Sequence, residues 1–63
     1  MTIGQFLETL NSNMLICSII DDTGRIVVEK SARNILHSDK DLINIEILSW
    51  DINEDGSLMI NIE

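Results

Sequence analysis

Met14-Leu15-Ile16-Cys17-Ser18-Ile19-Ile20-Asp21-Asp22-Thr23-Gly24-Arg25-Ile26-Val27-Val28-Glu29 reads as a β-hairpin. Its first arm is too short for an independent helix and rich in β-branched residues, and the second, Arg25 to Glu29, follows four turn-forming residues. Gly24 suits the left-handed position that closes a type I turn with a G1 bulge, where a side chain would be costly. The first arm is apolar on both sides: Met14, Ile16 and Ile20 alternate with Leu15, Cys17 and Ile19. One helix layer covers only one side, so the other calls for a second copy of the chain or a protein partner.

Upstream, Thr2 and Gln5 have the spacing of a capping box. Ile3, Phe6, Leu7 and Leu10 then recur on one helical face, and Asn11-Ser12-Asn13 ends the helix. Downstream, Ser31 can cap a second short helix over Ala32 to His37, with Ile35 and Leu36 facing inward and Ser38-Asp39-Lys40-Asp41 leading out. Ile43, Ile45 and Ile47 alternate with Asn44 and Glu46, the period of a strand with one buried face. Past Leu48 the apolar residues move to Trp50 and Ile52, so the strand either bulges near Leu48-Ser49 or changes the face it buries. Asn53-Glu54-Asp55-Gly56 forms a second turn, and Leu58, Ile60 and Ile62 complete a second hairpin.

The two hairpins align at a constant offset, Ile20 on Ile52, Gly24 on Gly56 and Val28 on Ile60. The expected fold is therefore a single α+β domain over residues 1–63, ordered helix-hairpin-helix-hairpin (αββαββ). Its sheet is expected to be four-stranded and mostly antiparallel, with the helices on one face.

Composition bounds the function classes. A chain of 63 residues with 44% apolar and 24% charged residues packs a core, though a small one. Net stability at this size is about 3–5 kcal/mol, which makes homodimerisation a natural supplement. The charge of −7, from four basic and eleven acidic residues, opposes contact with phosphate backbones and anionic membranes. It favours basic proteins as partners. A single cysteine permits no intrachain disulfide, and the longest apolar runs are far below the ~18–20 residues of a membrane span. Cytoplasmic residence is expected.

No assembled catalytic set or cofactor motif emerges. Asp51-Ile52-Asn53-Glu54-Asp55-Gly56-Ser57-Leu58 matches the first eight positions of an EF-hand loop, which makes Asp51, Asn53 and Asp55 the candidate calcium ligands. The match breaks at Ile62, where the bidentate glutamate belongs, and no helices flank the loop. His37 stands alone without a nucleophile motif, Cys17 lies in a strand that reads as buried, and the Asp21-Asp22 and Glu54-Asp55 pairs lie in solvated turns. Gly4, Gly24 and Gly56 are isolated and form no phosphate loop. Arg25, Lys30, Arg33 and Lys40 are too scattered for a nucleic-acid groove. Trp50, at the parity change, has the character of an interface anchor, and Met14, Ile16, Ile20 and Trp50 are the interface candidates.

The opening Met1-Thr2-Ile3 into a helix with Phe6, Leu7 and Leu10, followed by an acidic hairpin closed by glycine, resembles small uncharacterised proteins of bacteria and their phages over residues 1 to 30. The resemblance implies a small accessory protein, of the kind encoded on mobile elements, and carries over no functional residue. Three readings follow. The leading one is a noncatalytic protein–protein interaction module or homodimeric accessory protein. The others are an acidic inhibitor or nucleic-acid mimic seated in a basic groove, and a weak calcium-binding domain.

Overall fold

Helix α1 spans Ile3–Glu8 and begins with the expected capping box. The Gln5 amide donates to Thr2 Oγ1 at 3.2 Å, and the Thr2 amide donates to Gln5 Oε1 at 3.0 Å. A computed structural model describes residues 1–10 and 14–63; the expected helix end at Asn11-Ser12-Asn13 lies outside the described residues. Strands β1 (Ile16–Ile20) and β2 (Ile26–Ser31), helix α2 (Ala32–Ser38), and strands β3 (Ser49–Ile52) and β4 (Leu58–Asn61) follow. Ser31 caps α2 through its hydroxyl, which accepts from the Asn34 amide.

Both hairpin turns are built alike. Gly24 N–H donates to Asp21 O and Gly56 N–H to Asn53 O, each at 3.0 Å, and the two glycines have φ of +84° and +88°. A side chain is disfavoured in that left-handed region, which is why glycine stands at both positions.

The sheet has the four strands expected and matches the expected mostly antiparallel pairing in part. Its strand order is β2-β1-β4-β3, with β1 and β4 parallel and the two hairpin pairings antiparallel, so the sheet is mixed. The hairpins join through their inner arms because these carry the residues that need covering: Cys17 and Ile19 lie beside Leu58 and Ile60, all fully buried. The aligned halves consequently occupy unlike places. β1 is an inner strand, whereas its counterpart β3 is an outer strand with all four residues exposed.

One correction concerns Ile43 to Ile47, which was expected to form a sheet strand. The burial does alternate, with Ile43, Ile45 and Ile47 half-buried and Asn44 and Glu46 exposed. The backbone, however, serves the N-terminal segment. Ile3 and Gly4 donate to Ile45 O and Ile43 O at 2.9 and 2.8 Å, Ile47 donates to Met1 O at 2.9 Å, and Thr2 bridges Glu46. The first amides of a helix have no intrahelical acceptor. Here the carbonyls of 43 and 45 satisfy two of them, so the run caps α1 and is not a fifth member of the ladder. Gly4 permits the approach, since a Cβ there would stand 3.0 Å from Ile43 O.

The core lies on one face of the sheet. Residues paired directly across strands share a face, so Cys17, Ile19, Leu58, Ile60, Ile52 and Trp50 all project to the same side. Ile3 and Leu7 of α1 and Ala32 and Ile35 of α2 pack there against the four inner-strand residues. Ile16, Ser18, Ile20, Met59, Ser49 and Asp51 project to the other face.

Candidate interaction surface

The four interface candidates fall into two separate surfaces. Ile16 and Ile20 lie on the face away from the helices, with Met14 just before β1; Trp50 lies on the helix-bearing face, two strands away. They do not form one patch.

On the face away from the helices, Ile16 is 45% exposed and Ile20 half-buried. Ile26, paired with Ile20, is exposed, as is Val27 at the register shift of the first hairpin. Polar residues interrupt this surface: Ser18 donates to Glu29 Oε1 at 3.0 Å between the strands. A cleft of about 420 Å³ opens beside it, lined by Met14, Leu15, Ile16, Glu29 and residues Asp55 to Ser57.

Trp50 and Ile52 are 52% and 59% exposed although they point to the helix-bearing side, and the buried strand residues of the core come from β1 and β4 alone. Phe6 of α1 reaches Trp50, with ring centroids 5.2 Å apart and planes tilted by 37°. A tilted pair at this distance is favourable. At 52% exposure Trp50 is not a core residue, and Phe6, placed by periodicity on the inward face of α1, makes a contact that periodicity could not reveal.

The parity change foreseen in the sequence has a structural basis at Leu48-Ser49. Leu48 N–H donates to Asn61 O at 2.9 Å, and Ser49 pairs with that same Asn61, so two residues oppose one as in a β-bulge. The bulge turns Trp50 and Ile52 to the face that the odd-numbered isoleucines occupy earlier. It also sets the backbone. Asn53 is ladder-bonded to Ser57, and bonded and non-bonded pairs alternate along an antiparallel ladder. Trp50 and Ile52 therefore aim their N–H and C=O groups at the outer edge. At Ile52 the neighbouring Asp51 Oδ1 accepts that amide at 2.8 Å.

Of the candidate calcium ligands, Asn53 and Asp55 serve the turn, and Asp51 lies on the strand before it. Asp51 lies on β3 opposite Met59, Asn53 Nδ2 donates to Ser57 Oγ, and Asp55 Oδ1 accepts from the Ser57 amide and hydroxyl at 2.9 and 2.7 Å. The Ser57 bonds hold the Asp55 carboxyl below the ordinary carboxylate value, and the Thr23 hydroxyl foremost, with the Arg25 amide, does the same for Asp21. Among the described residues no group of three or more His, Cys, Asp or Glu could hold a metal ion. Cys17 is buried and its thiol is pushed up to about 11 by desolvation, so it is protonated at neutral pH. No helix among the described residues is long and apolar enough to cross a membrane.

No family model, curated protein or solved structure matches the chain.

Proposed function

We propose that the protein is a noncatalytic protein–protein interaction module that docks through the strip formed by Trp50, Ile52 and Phe6. The observation that carries this reading is the position of Trp50: half exposed, in contact with Phe6, on an outer strand that contributes no buried residue to the core. Tryptophan has a large apolar area and few rotatable bonds, so it loses little entropy on docking and is enriched among energetic anchors of interfaces. The ring contact with Phe6 would lower the cost of immobilising Trp50 on docking.

The test is a comparison of binding by the wild-type chain and Trp50→Ser, with retention of the fold checked by circular dichroism. Binding partners, the chain itself included, should be retained by the first and lost by the second. Identical binding by both would contradict the reading.

A second reading, an acidic protein seated in a basic groove, draws support from the −7 charge. Salt separates the two: apolar docking persists or strengthens at high ionic strength, whereas charge-driven docking weakens.

A further inference from the structure

We infer that the Asp55–Gly56 peptide is a self-modification site, where the chain forms isoaspartate through a succinimide, and that the hydrogen bonds of the turn hold this reaction back in the folded protein. This goes beyond the docking reading and does not depend on it.

The sequence brings the reactants together once. Asp55 is the only Asp or Asn followed by glycine. Ring closure needs the nitrogen of the next residue to reach the side-chain carboxyl carbon, and glycine, with no Cβ and the widest backbone freedom, obstructs that approach least. Gly56 N bonds to Asp55 Cγ, the Cγ–OH bond breaks, and the hydroxyl leaves as water together with the amide proton. A second water then adds to the backbone carbonyl carbon of Asp55 and breaks its bond to nitrogen. The chain now runs through Cγ, with the α-carboxylate free. Mass is unchanged, and no oxidant or partner enters. Both residues are exposed, so water reaches the imide.

The fold controls the first step. Gly56 N–H donates to Asn53 O at 3.0 Å, and Asp55 Oδ1 accepts from the Ser57 amide and hydroxyl at 2.9 and 2.7 Å. Asn53 Nδ2 donates to that same hydroxyl at 2.9 Å, which fixes its position. Closing the ring swings the Gly56 amide away from Asn53 and turns the carboxyl off Ser57, so these bonds are given up first. Their combined loss slows closure by about tenfold or more.

The other hairpin is an internal control. Its turn has the matching Gly24 N–H to Asp21 O bond and a glycine of similar positive φ, but Thr23 stands where the second turn has Asp55. No carboxyl precedes that glycine. In the second turn, isoaspartate adds one methylene to the backbone between Asn53 and Ser57, whose N–H to O bond of 2.8 Å sets the pairing of Ile52 with Leu58. Modification therefore loosens the end of β3, two residues from Trp50.

Peptide mapping with fragmentation that separates aspartate from isoaspartate tests this on the intact chain, warmed at neutral pH either folded or in guanidinium chloride. Isoaspartate at residue 55 should accumulate about tenfold faster in denaturant than in the fold, and Ser57→Ala, checked for folding by circular dichroism, should raise the folded rate about fivefold. In denaturant, where folding is not at issue, Gly56→Ala should slow the reaction at residue 55 severalfold. Isoaspartate spread evenly over the aspartates of the denatured chain would overturn the site. Equal rates at residue 55 in the folded and denatured wild-type chain would overturn its control by the turn.

Discussion

The only phenylalanine and the only tryptophan of the chain meet: Phe6 on α1 and Trp50 on β3 have ring centroids 5.2 Å apart. The contact ties the helix to a strand that contributes no buried residue to the core. Phe6→Leu should cost about 1 kcal/mol through loss of the ring pair and shift the Trp50 fluorescence to longer wavelength. Trp50→Ser should cost under about 2 kcal/mol, since half of the ring is already in water. Urea unfolding read by circular dichroism checks both.

Gly4 gives a prediction whose sign is informative. In an isolated helix Gly→Ala stabilises by about 0.5–1 kcal/mol. Here a Cβ would stand 3.0 Å from Ile43 O and 3.1 Å from Ile43 Cβ, so the 43–45 run must move and release its bonds to α1. Gly4→Ala should therefore destabilise, by about 1–3 kcal/mol. A rise in the urea midpoint would show that the run does not cap the helix.

The two turn carboxylates set the acid limb of stability. Asp21 and Asp55 have folded-state values below the ordinary 3.8, so the unfolded chain binds protons first as pH falls. Their contribution is present above that ordinary value and is lost as pH falls through the lower folded values. Both groups are fully exposed, so the effect is screened by solvent and salt. The urea midpoint should fall as pH drops below the ordinary value of 3.8. In Asp21→Asn/Asp55→Asn, which keeps an acceptor oxygen at each turn, that fall should be smaller.

Cys17 sets the alkaline limb. Below its ordinary value of 9.0 the thiol is neutral in both states, while between there and about 11 the unfolded chain ionises and the folded chain does not. Stability should fall over that window, and Cys17→Ala should remove the fall while lowering stability throughout by loss of packing. A thiol reagent at neutral pH should react slowly with the native chain and rapidly in urea.

What the sequence made legible was local. Thr2 with Gln5, Ser31 before Ala32, and the glycines at 24 and 56 each act on backbone groups within a few residues, so their spacing carries the answer. The run from Ile43 to Ile47 shows the limit of such reading. Period two reports which side chains are buried, and that alternation is present, but it does not say which backbone receives the hydrogen bonds. The unpaired amides of α1 took them. The parallel pairing of β1 with β4 is likewise invisible locally, because it arises from two inner strands burying Cys17, Ile19, Leu58 and Ile60 together. At the candidate surface, the parity change after Leu48 correctly marked Trp50 and Ile52 as different from the isoleucines before them. That β3 would be an outer strand depended on the order of the sheet. For the same reason Met14, Ile16 and Ile20 could not be separated in advance from Trp50.

The central claim is that the β3 strip is the surface through which the chain binds. The most direct measurement is a dilution series of amide and indole NMR spectra from micromolar to millimolar protein in high salt. The account predicts that concentration-dependent shifts fall at the Trp50 indole and at the amides of Ser49 to Ile52, with Ile16, Ile20 and Ile26 unmoved. Shifts confined to the β1–β2 face, with Trp50 unmoved, would contradict it.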